Sequence, residues 1–187
     1  MKVEINRAVR TLKRGGIILY PTDTVWGIGC DATNKDAVEK IYRLKRRRDS
    51  KSMIILVDNV ERIAMHVKQV PKIALNFIAA TDVPLTIIYQ HAMNLAENLI
   101  AEDGSIAIRV VNHEFCRQVI SALGHPVVST SANISGEKTP VEFDEISPAI
   151  VDNVDFAANK ALGKDSTGTP SAIIKIGLKD EIELIRK

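Results

Sequence analysis

Aromatic residues are scarce in this chain, with one Trp, three Tyr and four Phe among 187 residues. Its core must therefore be mostly Ile, Val, Leu and Ala. Cysteine is scarcer still. Cys30 and Cys116 are too few and too far apart for a disulfide framework or a CxxC metal site, and they suit a reducing cytosol. Long apolar runs are missing as well: the longest, such as residues 53–57, have about five residues, against the ~18 that a membrane span needs. No basic-then-apolar leader opens the chain, so no secretory signal is expected. These absences point to a cytoplasmic protein with no membrane partner. What is present, 45% hydrophobic and 26% charged residues, is the composition of an ordinary soluble globular protein. The length corresponds to roughly one domain, expected over residues 1–187, and such a chain buries ~70% of its unfolded surface.

The net charge of +2 hides an uneven distribution. Six basic residues (Arg43, Lys45, Arg46, Arg47, Arg48, Lys51) and one acid (Asp49) give the segment 43–51 a charge of +5, leaving −3 for the rest. Six acids and Lys138 give residues 137–155 a charge of −5. A concentrated positive segment suggests an anionic partner.

Apolar spacing predicts a helix over 6–14, stopped by Gly15-Gly16, and a short buried strand over 17–20. The stretch 21–31 is too rich in Thr, Asp, Gly and Pro to be regular throughout, and reads as a loop. Asn34 is placed to cap a helix with Ala37, Val38, Ile41 and Leu44 inside, which puts the basic cluster at its C-terminus. Strands are predicted over 53–57, 84–89 and 105–110, the last with Arg109 on the face opposite Ile106, Ile108 and Val110. Helices are predicted from Pro71, over 113–123 with Gly124 at the end, and over 144–151. Val127-Val128 begins a strand that runs into a polar loop, Ser129 to Asn133, which ends at Gly136. Residues 171–176 and 181–185 read as a late pair of strands. Helices alternate with strands without internal repeats, so one α/β domain is the economical architecture.

Three segments have the chemistry of a site, each with an ordinary alternative. The basic cluster either forms a solvated helix end that complements the helix dipole or binds an anion. In the second case Lys45 and Arg47 converge on one phosphate, Arg as a fork and Lys as a point charge. Ser129 to Asn133, at a strand end, is either a turn satisfying its own backbone or a set of donors and acceptors for ribose, phosphate or an amino-acid head group. Thr22-Asp23-Thr24 is likewise a turn or a site. Gly27 to Ala32 fits GxGxxA, but Pro21 ends the strand six residues too early for a dinucleotide fingerprint. Gly163-Lys164 is followed by Asp165 and makes no P-loop. No GxSxG elbow surrounds the serines, and the four histidines have no metal-ligand spacing.

Taken together, Tyr20-Pro21-Thr22-Asp23-Thr24-Val25-Trp26-Gly27, Lys45-Arg46-Arg47 with Lys51, Arg109 on an apolar strand, and Ser131-Ala132-Asn133 with Ser135-Gly136 resemble the YrdC/Sua5 family, the threonylcarbamoyl-AMP synthases. The resemblance spans nearly the whole chain. It implies an α/β fold with a twisted, largely open mixed sheet, flanking helices and a positively charged concave cavity. It also implies an enzyme, a nucleotidyltransferase that joins L-threonine, bicarbonate or CO2 and ATP, with Mg2+, into threonylcarbamoyl-AMP and pyrophosphate. That product serves the t6A modification of tRNA through a downstream transferase complex. Carried over by position, Lys45, Arg47, Ser131 and Asn133 form the signature; Thr24, Arg109 and Ser129 hold threonine; Arg47, Lys51, Ser105, Ser131, Thr139 and Arg186 contact the nucleotide. No metal ligand is assigned.

Departures from the family pattern fall on loops. Lys-Gly-Arg-Pro is here Lys45-Arg46-Arg47-Arg48, the following Lys-Pro is Lys51-Ser52, Trp-Pro-Gly is Thr81-Asp82-Val83, and Trp26 stands where Tyr is commoner. The chain ends at Lys187, as expected of the short family form. A different class of function, a tRNA- or double-stranded-RNA-binding module using the +5 segment, would call for exposed aromatics, and only Tyr42 lies nearby. A third option is another carbamoyl transfer.

Overall fold

The first helix, α1 (Lys2–Lys13), buries Ile5, Ala8 and Leu12 at three- and four-residue spacing. It starts at Lys2 rather than Asn6, and Glu4 in its first turn accepts a hydrogen bond from the Asn159 amide (2.9 Å). The computed structural model describes residues 1–46, 53–177 and 181–187. Expectations that rest on Arg47, Arg48, Lys51 and Ser52 lie outside those residues.

Among the described residues, nine strands form one open mixed sheet: β1 (Ile18–Tyr20), β2 (Gly27–Gly29), β3 (Ile54–Val57), β4 (Leu85–Tyr89), β5 (Ile106–Val110), β6 (Val127–Ser131), β7 (Phe156–Ala157), β8 (Ala172–Ile176) and β9 (Ile182–Arg186). Their order is β7-β1-β2-β6-β3-β5-β4-β8-β9. The pairs β1/β7, β3/β5 and β4/β8 are parallel and the rest antiparallel. Flanking helices are α2 (Lys35–Leu44), α3 (Lys72–Ala80), α4 (Glu114–Leu123) and the short α5 (Pro148–Val151). Asn34 caps α2 as its position predicts, its side chain accepting from the Ala37 amide at 3.0 Å. None of the described helices is long and apolar enough to cross a membrane. Both cysteines are free and buried, and burial pushes their thiols far above the usual range.

Besides the earlier start of α1, the structure differs from the sequence expectations in three places. Residues 144–151 are not one helix. A 3-10 turn (Phe143–Glu145) precedes α5, which restarts where Ser147 accepts from the Ala149 amide and Pro148 takes the first helical position. Ser129 to Ser131 are strand rather than loop, because β6 is flanked by β2 on one side and β3 on the other, and sheet pairing overrides the local preference of hydroxyl residues. Gly27 to Gly29 are likewise a strand. Here Gly29 serves close packing, since a Cβ on it would lie 2.2 Å from the Val128 carbonyl oxygen and 2.7 Å from Tyr20 Cε1. Gly29→Ala should therefore lower stability by about 3 kcal/mol through overpacking; an unchanged thermal midpoint would contradict this account.

Candidate active site

Arg109 anchors a concentration of buried polar groups that includes Thr22, Asp23 and Thr24. The alternation of β5 turns its side chain away from Ile106, Ile108 and Val110, and the residue is 2% exposed. A buried guanidinium needs partners, and the loop after β1 supplies them. Nη1 donates to Thr24 Oγ1 at 3.0 Å, Nη2 to Thr22 Oγ1 at 3.4 Å, and Nη2 lies 3.1 Å from Asp23 Oδ1. Asp23 is held by the Asn112 amide on Oδ2 (3.1 Å), while Thr22 accepts from the Thr24 amide (3.1 Å) and donates to the Val25 carbonyl (2.8 Å).

A strap from the far end of the chain fixes that loop. The Ser166 hydroxyl donates to the Thr22 carbonyl (2.5 Å), the Thr167 amide to that of Asp23 (3.1 Å) and the Gly168 amide to that of Thr24 (2.8 Å). Trp26 fits beneath the strap because Gly163 has no side chain: a Cβ there would lie 2.8 Å from the indole nitrogen. Phe143 meets the indole edge-on at 5.0 Å.

Between this loop, β6, the start of β3 and the segment from Pro170 to Ile173 that leads into β8 lies a cavity of about 220 Å³. Thr22, Thr24, Ser129, Thr130, Ser131, Thr139 and Ser171 line it with hydroxyls, and Arg109 and Arg186 line it with charge. Arg186 reaches in from β9, its Nε and Nη2 donating to the Ser171 carbonyl at 3.0 and 2.9 Å. Burial and the neighbouring Arg109 charge both lower the Arg186 pKa. Two guanidiniums that repel each other across a cavity, with no carboxylate among its described lining residues, form a site for an anion.

A family model described as "Telomere recombination", covering Sua5, YciO and YrdC, matches residues 10–187. The chain belongs to the Sua5/YciO/YrdC family. Among its relatives, the threonylcarbamoyl-AMP synthase of Pseudoalteromonas translucida is 31% identical over 173 residues, 90% of this chain and 91% of that one. The synthase of Hahella chejuensis is 38% identical over 130 residues, 69% of this chain and 71% of that one. In fold, P. abyssi Sua5 complexed with L-threonine superposes with a TM-score of 0.86 at 22% identity, covering 94% of this chain and 52% of that one. E. coli YciO superposes at 0.84 and 23% identity, over 100% and 90%. The chain thus spans about half the length of that Sua5 chain. These neighbours share the open mixed α/β sheet that the sequence implied.

Of the residues carried over from the Sua5/YciO/YrdC pattern, the fold brings Thr24, Arg109, Ser129, Ser131, Thr139 and Arg186 to the cavity. Lys45 and Asn133 are not among its lining residues. Lys45 is 2% exposed, and its Nζ donates to the carbonyls of Ser131 (2.5 Å) and Asn133 (2.6 Å). Asn133 in turn donates to the carbonyls of Ile134 (3.0 Å) and Glu137 (2.7 Å). Both residues build the turn that leads out of β6. Ser105 also stands apart from the cavity lining. Its hydroxyl donates to Asp103 (2.6 Å), whose carboxyl is held down at about 2 by Lys175 and Ser105. Sequence reasoning placed Asp23 in a candidate segment without its pairing to Arg109, and gave no role to Ser171, which holds Arg186. Asp23 had a signal in its place between two threonines, whereas nothing local marked Ser171.

Proposed function

We propose that this chain is an L-threonylcarbamoyladenylate synthase, a nucleotidyltransferase that makes threonylcarbamoyl-AMP and pyrophosphate from L-threonine, bicarbonate or CO2 and ATP. The observation that carries this reading is the buried Arg109, held by Thr22, Asp23 and Thr24 and facing Arg186 across a cavity with no carboxylate among its described lining residues. The names of the synthase relatives support it.

In this reading the threonine carboxylate pairs with Arg109, whose fork suits a bidentate carboxylate. Thr24 and Ser129 receive the rest of the amino acid. The neutral amine adds to CO2, releasing a proton and giving a carbamate. A carbamate oxygen then forms a bond to the α-phosphorus of ATP, and the bond from that phosphorus to the bridging oxygen breaks, the electron pair leaving with pyrophosphate. Two anions must meet, so catalysis here is positioning and charge neutralisation rather than covalent chemistry. Arg186, Arg47 and Lys51 are assigned to the nucleotide, with Ser131 and Thr139 as hydroxyl donors. Lys45 and Asn133 act by holding the turn that presents them. Mg2+ would enter on the triphosphate and shield its charge; among the described lining residues, hydroxyls and arginines, there is no carboxylate to hold the ion independently.

The product would feed t6A modification of tRNA in the cytoplasm. The test is pyrophosphate release from ATP and bicarbonate with and without L-threonine. Release is expected to require threonine. Threonine-independent release would point to another transfer, and no release with tight binding of duplex RNA would favour the RNA-binding module.

A further inference from the structure

A second cavity, of about 580 Å³, lies on the opposite face of the sheet. Ile108 and Val110 of β5 face it, while Arg109 between them faces the first cavity. Its volume is within the ~300–1,000 Å³ typical of small-molecule sites. Ile63, Ile78, Leu85, Ile87, Ile108 and Val110 give it an aliphatic part. Its charge is opposite in sign to that of the first cavity: five carboxylates line it against one guanidinium, Arg117.

Those carboxylates are not all spent on internal pairs. Asp58 is held by Arg62 Nε at 2.9 Å. Glu61, Asp82 and Asp165 are exposed at the rim and make no ion pair among the described residues. Asp23, 6% exposed, lies at the inner end. Its Oδ1 is 3.1 Å from Arg109 Nη2 and its Oδ2 accepts from the Asn112 amide, so its charge is offset internally and the rim carboxylates are the ones left for a ligand. The acidic rim favours a cation and rejects a carboxylate or phosphate, and the aliphatic side chains favour an apolar chain beside that cation. A ligand with an apolar chain and one ammonium group satisfies both.

We propose that the second cavity binds an aliphatic amine, its chain against Ile63, Ile87 and Ile108 and its ammonium among the carboxylates. Isothermal titration with hexylammonium chloride tests it, with 1-hexanol as the uncharged counterpart. One saturable site per chain is expected for hexylammonium, with hexanol about tenfold weaker. The double variant Asp82→Asn, Asp165→Asn, whose changes sit on the exposed rim, should weaken hexylammonium about fivefold and leave hexanol unchanged. Equal binding of amine and alcohol, an unaffected double variant, or no saturable binding would each overturn the assignment.

Discussion

Arg109→Lys is expected to raise the threonine KM of pyrophosphate release about 100-fold while the KM for ATP stays near its original value. The substitution retains a cation opposite Asp23 and so avoids leaving a buried carboxylate unpaired, an outcome that would unfold the protein and hide the effect. What it removes is the fork. Arg109 divides two nitrogens among Thr22, Asp23 and Thr24, and a single ammonium cannot hold that loop and also meet both oxygens of an incoming carboxylate. A charged hydrogen bond contributes about 1.5–3 kcal/mol, and losing one at the upper end corresponds to the stated factor. Steady-state kinetics with each substrate varied separately provides the check. A threonine KM close to that of the unaltered protein would remove Arg109 from carboxylate binding.

Lys45→Met should have the second large effect, and first on stability. Methionine replaces most of the lysine stem, so little cavity is created. The ammonium, however, donates to two carbonyls at 2.5 and 2.6 Å in a place that is 2% exposed. Without it both acceptors lose that donor, at a cost of about 3 kcal/mol, or roughly a 10 °C fall in the thermal midpoint for a chain of this size. Turnover should fall with it, because the turn tied down by Lys45 follows directly on Ser131 and leads to Thr139. Differential scanning calorimetry beside the pyrophosphate assay separates the two effects. A variant with an unshifted midpoint and no activity would return Lys45 to direct contact with substrate, the role that the Lys-x-Arg spacing suggests on its own.

Much of the scaffold was legible because its signals are local. Asn34 followed three residues later by Ala37 marks the start of α2, and the alternation of Ile106, Ile108 and Val110 places Arg109 on the opposite face. The strand pair at the end of the chain could be read from its β-branched residues. The hydroxyls of Ser129 to Ser131 misled, since whether such residues form a turn or a strand depends on what lies on either side, and here β2 and β3 do. Gly27 and Gly29 fit the GxGxxA spacing only formally, and what Gly29 meets is a demand for room beside the Val128 backbone. The uneven charge pointed to an anion, yet the arginines that line the described cavity, Arg109 and Arg186, both lie outside the basic cluster.

The sequence by itself determined the α/β class, the order of most elements and the family resemblance, and that resemblance implied six of the residues that gather at the cavity. Those properties depend on side-chain periodicity and on motifs a few residues long. Only the tertiary structure decided which charges face a ligand and which are bound internally. Lys45 meets its acceptors across 86 and 88 positions and Arg109 meets Thr24 across 85. A cation's role is set by the partner it finds at such separations, and no local pattern encodes that partner.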